Sequence, residues 1–173
     1  MGSLLFSPLK RITDFIRAQG AVPAVQLGHA GRKGSRQRPW EGNGPLDPDQ
    51  FVRGETTWDI VSAVAKPIGE GFLTPAALDA AGMATIVEGF ATGARRARAA
   101  GFDAVEVHCA HGYLLHHFLS PNLEWRENGP KDEQNYRTCK IADCATSRQS
   151  LYRDRSVFAY GSAMSVRVAG RRE

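Results

Sequence analysis

The chain has 173 residues, 42% of them hydrophobic and 23% charged, with a formal net charge of +4 at pH 7. That is enough chain for one ordinary domain with a sizeable core, while 18 Gly and 9 Pro imply long loops. The charge excess belongs to the tail, since residues 1–121 hold 12 Lys/Arg against 11 Asp/Glu and residues 122–173 hold 10 against 7; with no aromatic-interleaved basic stripe beside it, this argues against a nucleic-acid partner.

The apolar run Leu4-Leu5-Phe6 is too short for a signal-peptide core or a membrane span. A soluble, cytoplasmic protein without a membrane partner is therefore expected. Residues 8–19 then read as an amphipathic helix. Leu9, Ile12, Phe15 and Ile16 share one face, and Lys10, Arg11, Asp14 and Arg17 turn away from it. Gly20 is placed to end that helix. Residues 21–27 follow as an almost wholly apolar run, which suits a strand covered on both faces, as in a parallel sheet.

Residues 28–72 contain eight Gly and four Pro and little periodicity. A loop this long inside a compact domain is usually either functional or disordered. Thr74-Pro75 reads as the start of a second helix, a capping hydroxyl followed by proline in the first turn. Met83, Ile86, Val87, Phe90, Ala94 and Ala97 recur at helical spacing, and Gly101 ends the pattern. A second strand, residues 103–108, begins almost at once. Helix, strand, long loop, helix, strand is the rhythm of a βα-repeat protein with parallel strands. Beyond Pro121 the chain turns polar and aperiodic. Residues 122–173 are expected to form an atypical, poorly ordered tail, with a weak strand or two over residues 157–168.

Chemistry gathers at the two strand ends. His108, His111 and Tyr113 lie where the second strand gives way to a loop, the position at which α/β architectures commonly place their sites. Paired imidazole N–H donors can hold a carbonyl or nitro oxygen as negative charge builds on it. Phenols ordinarily titrate near pH ~10, so one can deliver a proton at neutrality. The bland alternative, polar loop residues beside a strand, carries equal weight on spacing alone. A metal site using His29, His108 and His111 ranks lower, for want of a carboxylate or thiolate partner.

His116 and His117 are adjacent on a short helix, so at most one points inward and structural roles are expected. Cys109 should point away from His108 and be buried. With Cys139 and Cys144 it makes an odd set without metal or disulfide spacing, consistent with a reducing compartment. At the first strand's end, Gln26-Leu27-Gly28-His29-Ala30-Gly31-Arg32-Lys33 offers a carboxamide with donor and acceptor side by side, suited to the imide edge of a flavin or a pyrimidine. Arg32 and Lys33 could meet phosphate or substrate, or stand as solvated loop cations.

Taken together, residues 9–35 and 100–121, with the His-x-x-His-Gly-Tyr run at their centre, resemble the old yellow enzyme family. These are FMN-dependent ene-reductases and NADPH dehydrogenases on a (β/α)8 barrel, and the likeness is closest to the thermophilic-like branch. The resemblance covers roughly residues 8–121. It implies a partial TIM barrel over residues 1–121, holding about the third and fourth βα units, in a chain truncated at both ends. The implied activity is NAD(P)H-dependent reduction of an activated alkene, such as an enone, by way of FMN. The implied roles are substrate binding for His108 and His111, protonation of the α-carbon for Tyr113, and flavin-pyrimidine binding for Gln26. No metal is implied. Truncation is expected to impair this activity. The alternative is a non-catalytic barrel fragment or pseudoenzyme that self-associates without flavin.

Overall fold

The computed structural model describes residues 6–119, 156–160 and 163–167. They form an α/β structure with parallel strand pairs. In chain order the elements are α1 (Phe6–Ala18), β1 (Ala24–Leu27), 3₁₀ turns at Gly31–Lys33 and Pro39–Glu41, α2 (Pro48–Val52), β2 (Val61–Ser62), β3 (Ala76–Ala77), α3 (Ala80–Ala99), β4 (Ala104–Val107), α4 (Leu114–Leu119), β5 (Ser156–Tyr160) and β6 (Ala163–Arg167). They divide into two compact units. One holds α1, β1, most of α3, β4 and the β5–β6 pair; the other holds residues His29–Gly82 and the segment from Cys109 through α4.

In the first unit β1 and β4 pair in parallel, with Ala24 opposite Ala104 and Leu27 opposite Val107. Pro23 extends the ladder by accepting from the Asp103 amide at 2.9 Å. Leu27 turns towards α3, where a Cβ on Gly93 would come within 3.2 Å of its side chain. Ala24 and Gln26 lie on the other face and are exposed, so the burial alternates along β1. The apolar run had suggested cover on both faces. Among the described residues, Leu27 meets α3 at Gly93 on one of them.

Both long helices end in the same way. Gly20, at φ 78°, donates to the Arg17 carbonyl and Ala21 to Ile16; Gly101, at φ 92°, donates to Arg98 and Phe102 to Ala97. These are Schellman closures, which need a residue at ease in the left-handed region. The side of α1 that packs differs from expectation. Thr13 is wholly buried, whereas Ile12 and Phe15 are 51% and 66% exposed. The reason is polar: the Thr13 hydroxyl donates to the Ala100 carbonyl at 2.7 Å, satisfying an acceptor at the end of α3.

The second unit makes the long glycine-rich segment an ordered one. Asp47 caps α2 by accepting from the amides of Asp49 and Gln50, and Gln50 returns the bond to the Asp47 amide. Gln37 ties this cap to the turn at Gly44, donating to Asp47 at 3.0 Å and accepting from the Gly44 amide at 3.2 Å. Arg53 bridges Glu41 and Glu55.

Thr74-Pro75 does not begin a helix. The residues after it form β3, which pairs in parallel with β2 through Ala76 to Ile60 and Leu78 to Ser62, each at 2.9 Å. The helix starts at Ala80, and its cap is Asp79, whose carboxylate accepts from the Gly82 amide at 2.7 Å. Leu114, Leu115, Phe118, Ile60 and Ala110 make the apolar centre of this unit.

β5 and β6 pair antiparallel, from Ser156 opposite Arg167 to Tyr160 opposite Ala163, and so realise the weak strands foreseen near residues 157–168. The rest of the expected poorly ordered tail lies outside the described residues. Among the described residues no helix is long and apolar enough to cross a membrane.

Candidate functional site

Gln26 and His108 stand at level strand tips. Gln26 is the register partner of Glu106, and one step beyond the last pair the His108 amide donates to the Leu27 carbonyl at 2.8 Å. Side chains alternate along a strand, so Gln26, Glu106 and His108 face one side. A Cβ on Gly28 would lie 3.4 Å from that of His108, ordinary contact distance, which agrees with the shared face. The Gln26 carboxamide is exposed and makes no hydrogen bond among the described residues. Glu106 belongs to this face too, and the strand's alternating period was the signal that would have found it.

In the second unit, His111 and Tyr113 share one tight turn. The Tyr113 amide donates to the Ala110 carbonyl at 3.1 Å, and both central residues are left-handed, His111 at φ 57° and Gly112 at φ 68°. Such a pair is what a type I′ turn requires. Glycine takes the second position at no steric cost, but His111 does not. The turn therefore holds an exposed imidazole and a half-buried phenol two residues apart.

The histidines around this turn are structural. His117 is 3% exposed. Its Nε2 accepts from Arg32 Nε at 3.1 Å, which leaves Nδ1 to carry the proton towards Ser62 Oγ at 2.8 Å. Burial first, and then the neighbouring Arg32, His116 and Lys33, push its pKa down to about 4. His116 Nδ1 accepts from the Gly112 amide at 2.6 Å. His29 Nδ1 accepts from the Gly31 amide at 3.0 Å, and burial lowers its pKa as well. Cys109 is a buried thiol, as expected. Among the described residues no group of three His, Cys, Asp or Glu side chains is arranged to hold a metal ion.

Arg32 and Lys33 are neither solvated loop cations nor idle. Arg32 reaches His117 and the carbonyls of Lys66 and Pro67, and burial lowers its pKa. Lys33 Nζ donates to the His111 carbonyl at 2.6 Å and stands 5.8 Å from the centre of the Tyr113 ring. These contacts join residues 85 and 78 positions apart in the chain, and nothing in the local sequence announces them.

Comparison with known proteins adds a second line of observation. Residues 6–132 match the NADH:flavin oxidoreductase / NADH oxidase family. The chain is 40% identical over 114 residues to an NADH:flavin oxidoreductase from Gibberella zeae, covering 66% of this chain and 27% of that protein. It is 34% identical over 131 residues to an NADPH dehydrogenase from a Geobacillus species, covering 75% and 33%. With an NADPH dehydrogenase from Bacillus subtilis it shares 36% identity over 129 residues, covering 73% and 32%. The chain thus spans about a third of the length of the curated relatives it matches.

Proposed function

The chain belongs to the NADH:flavin oxidoreductase / NADH oxidase family, and from that premise we propose that it serves an FMN-dependent NAD(P)H oxidoreductase of the ene-reductase type, acting on an activated alkene such as an enone. FMN and NAD(P)H are the cofactors of that family. The fold that goes with this reading is a (β/α)8 barrel, to which β1 and the α3–β4 pair would contribute about the third and fourth βα units. The setting that goes with it is the cytoplasm.

The observation that carries the reading is the level ending of β1 and β4, which brings Gln26 and His108 to one face of a parallel pair. The residues present fit a flavin there. An exposed carboxamide with no hydrogen bond among the described residues offers a donor and an acceptor to the pyrimidine edge. In this reading Gln26 holds that edge. His108 and His111 donate N–H groups to the substrate's electron-withdrawing oxygen, stabilising the charge that builds on it. Tyr113 delivers the proton to the α-carbon from its phenol oxygen. FMN, when bound, supplies the hydride.

The test is to purify the chain, add FMN and titrate with a phenolic ligand. Quenched flavin fluorescence and a new long-wavelength absorption band are expected, and both should weaken in Gln26→Leu. A chain that leaves FMN fluorescence unchanged and elutes as oligomers would overturn this reading. It would favour a barrel fragment that self-associates without flavin, a reading supported by the exposed Leu9, Ile12 and Phe15 on α1.

A further inference from the structure

The peptide group between His111 and Gly112 is held at both ends. Its carbonyl oxygen accepts from Lys33 Nζ at 2.6 Å, and its N–H donates to His116 Nδ1, also at 2.6 Å. The turn it belongs to is left-handed at both central residues, and His111 takes that conformation without glycine's freedom. Rotating this peptide plane would break both bonds at once, one of them charge-assisted. The same rotation would disturb the turn that carries the imidazole of His111 and, through Gly112, the phenol of Tyr113, whose amide closes the turn on the Ala110 carbonyl.

Lys33 is itself well anchored. It closes the 3₁₀ turn Gly31–Lys33, and its neighbour Arg32 is bonded to His117. Its ammonium also lies within cation–π range of the Tyr113 ring. Gly112 has to be small for this approach, because a Cβ there would come 3.2 Å from both Cε and Nζ of Lys33.

We propose that Lys33 and His116 are positioning residues: they grip the His111–Gly112 peptide from opposite ends and so set the directions of His111 and Tyr113. Neither touches the reacting atoms in the reading above. The catalytic consequence rests on that reading, whereas the grip on the turn does not.

The test uses the whole chain with Lys33→Met, which keeps the stem and removes the charge, Lys33→Arg, which restores a cationic donor, and His116→Leu. Amide exchange and ring resonances followed by NMR report on the turn without flavin. Lys33→Met and His116→Leu should each speed exchange at Gly112 and Tyr113 by about tenfold or more. Both should shift the Tyr113 ring signals, and Lys33→Met should leave the His117 ring signals in place. Lys33→Arg should return most of the protection. With FMN and an enone, Lys33→Met should lower kcat by roughly tenfold with a small change in KM, as expected when a donor is misaimed rather than a ligand lost. Unchanged exchange and unchanged Tyr113 signals in both loss-of-contact variants would overturn the grip. Faster exchange with an undiminished kcat would overturn the positioning role. Failure of the wild-type chain to take up flavin would count against the flavin reading alone, because the exchange measurement still decides the grip.

Discussion

The amide of His108 donates to the carbonyl of Leu27 across 2.8 Å, one step past the last register pair of β1 and β4. This bond makes the two strands end level, and through the alternation of side chains it brings His108 and Gln26 to one face. Gln26 has little structural work on that face. Gln26→Leu is expected to change stability by less than about 0.5 kcal/mol while weakening FMN binding. Thermal melts set beside flavin-fluorescence titrations check both halves, and a large drop in melting temperature would show that Gln26 is structural.

Gly101 and Thr13 form the tightest joint among the described glycines of the first unit. A Cβ on Gly101 would lie 2.6 Å from the Thr13 hydroxyl, at a φ of 92° that side chains rarely adopt. Gly101→Ala should cost about 1–3 kcal/mol from strain and crowding. Thr13→Ala removes a donor from the Ala100 carbonyl and should cost about 1–2 kcal/mol. The double variant should cost less than the sum, since the shorter side chain relieves the clash. Urea denaturation of the four proteins measures the coupling.

In the second unit Gly31 backs directly onto α4. Its φ is 60°, and a Cβ would come 3.0 Å from the backbone N and Cα of Leu114. Backbone yields less readily than side chain. Gly31→Ala should therefore loosen the bond from the Leu114 amide to the His29 carbonyl, now 3.0 Å. Faster exchange at that amide is the readout. Leu114→Ala, at a wholly buried position, should cost about 2–5 kcal/mol.

His117 gives the second unit an acid sensitivity. Its pKa is held at about 4 in the folded chain, against an ordinary value of 6.5. The unfolded chain binds this proton first as pH falls, so stability is full above about pH 6.5 and declines towards pH 4. The loss is expected to be on the order of 2–3 kcal/mol across that window. His117→Gln, which can still accept from Arg32, should flatten this part of the stability profile. A His117 ring that titrates near its ordinary value in the folded chain would contradict the prediction.

Much of the frame was legible locally. The spacing of Met83, Ile86, Val87 and Phe90 marked α3, and Gly20 and Gly101 marked the ends of α1 and α3, because helical period and left-handed turns are properties of neighbouring residues. Thr74-Pro75 misled: the same pair that can open a helix here precedes a strand, and pairing with Ile60 and Ser62 outweighed the local preference. Asp79 was the better start signal, an acceptor placed three residues before the amide it caps.

The succession of α1, β1, α3 and β4 and the run from His108 to Tyr113 were therefore legible in sequence alone, since each depends on residues within a few positions of one another. Tertiary structure decided which cations serve which carbonyls, and which histidine becomes buried. Lys33 meets His111 across 78 positions and Ser62 meets His117 across 55. Contacts of that span depend on how separate elements pack, and no local period or turn preference encodes the partner.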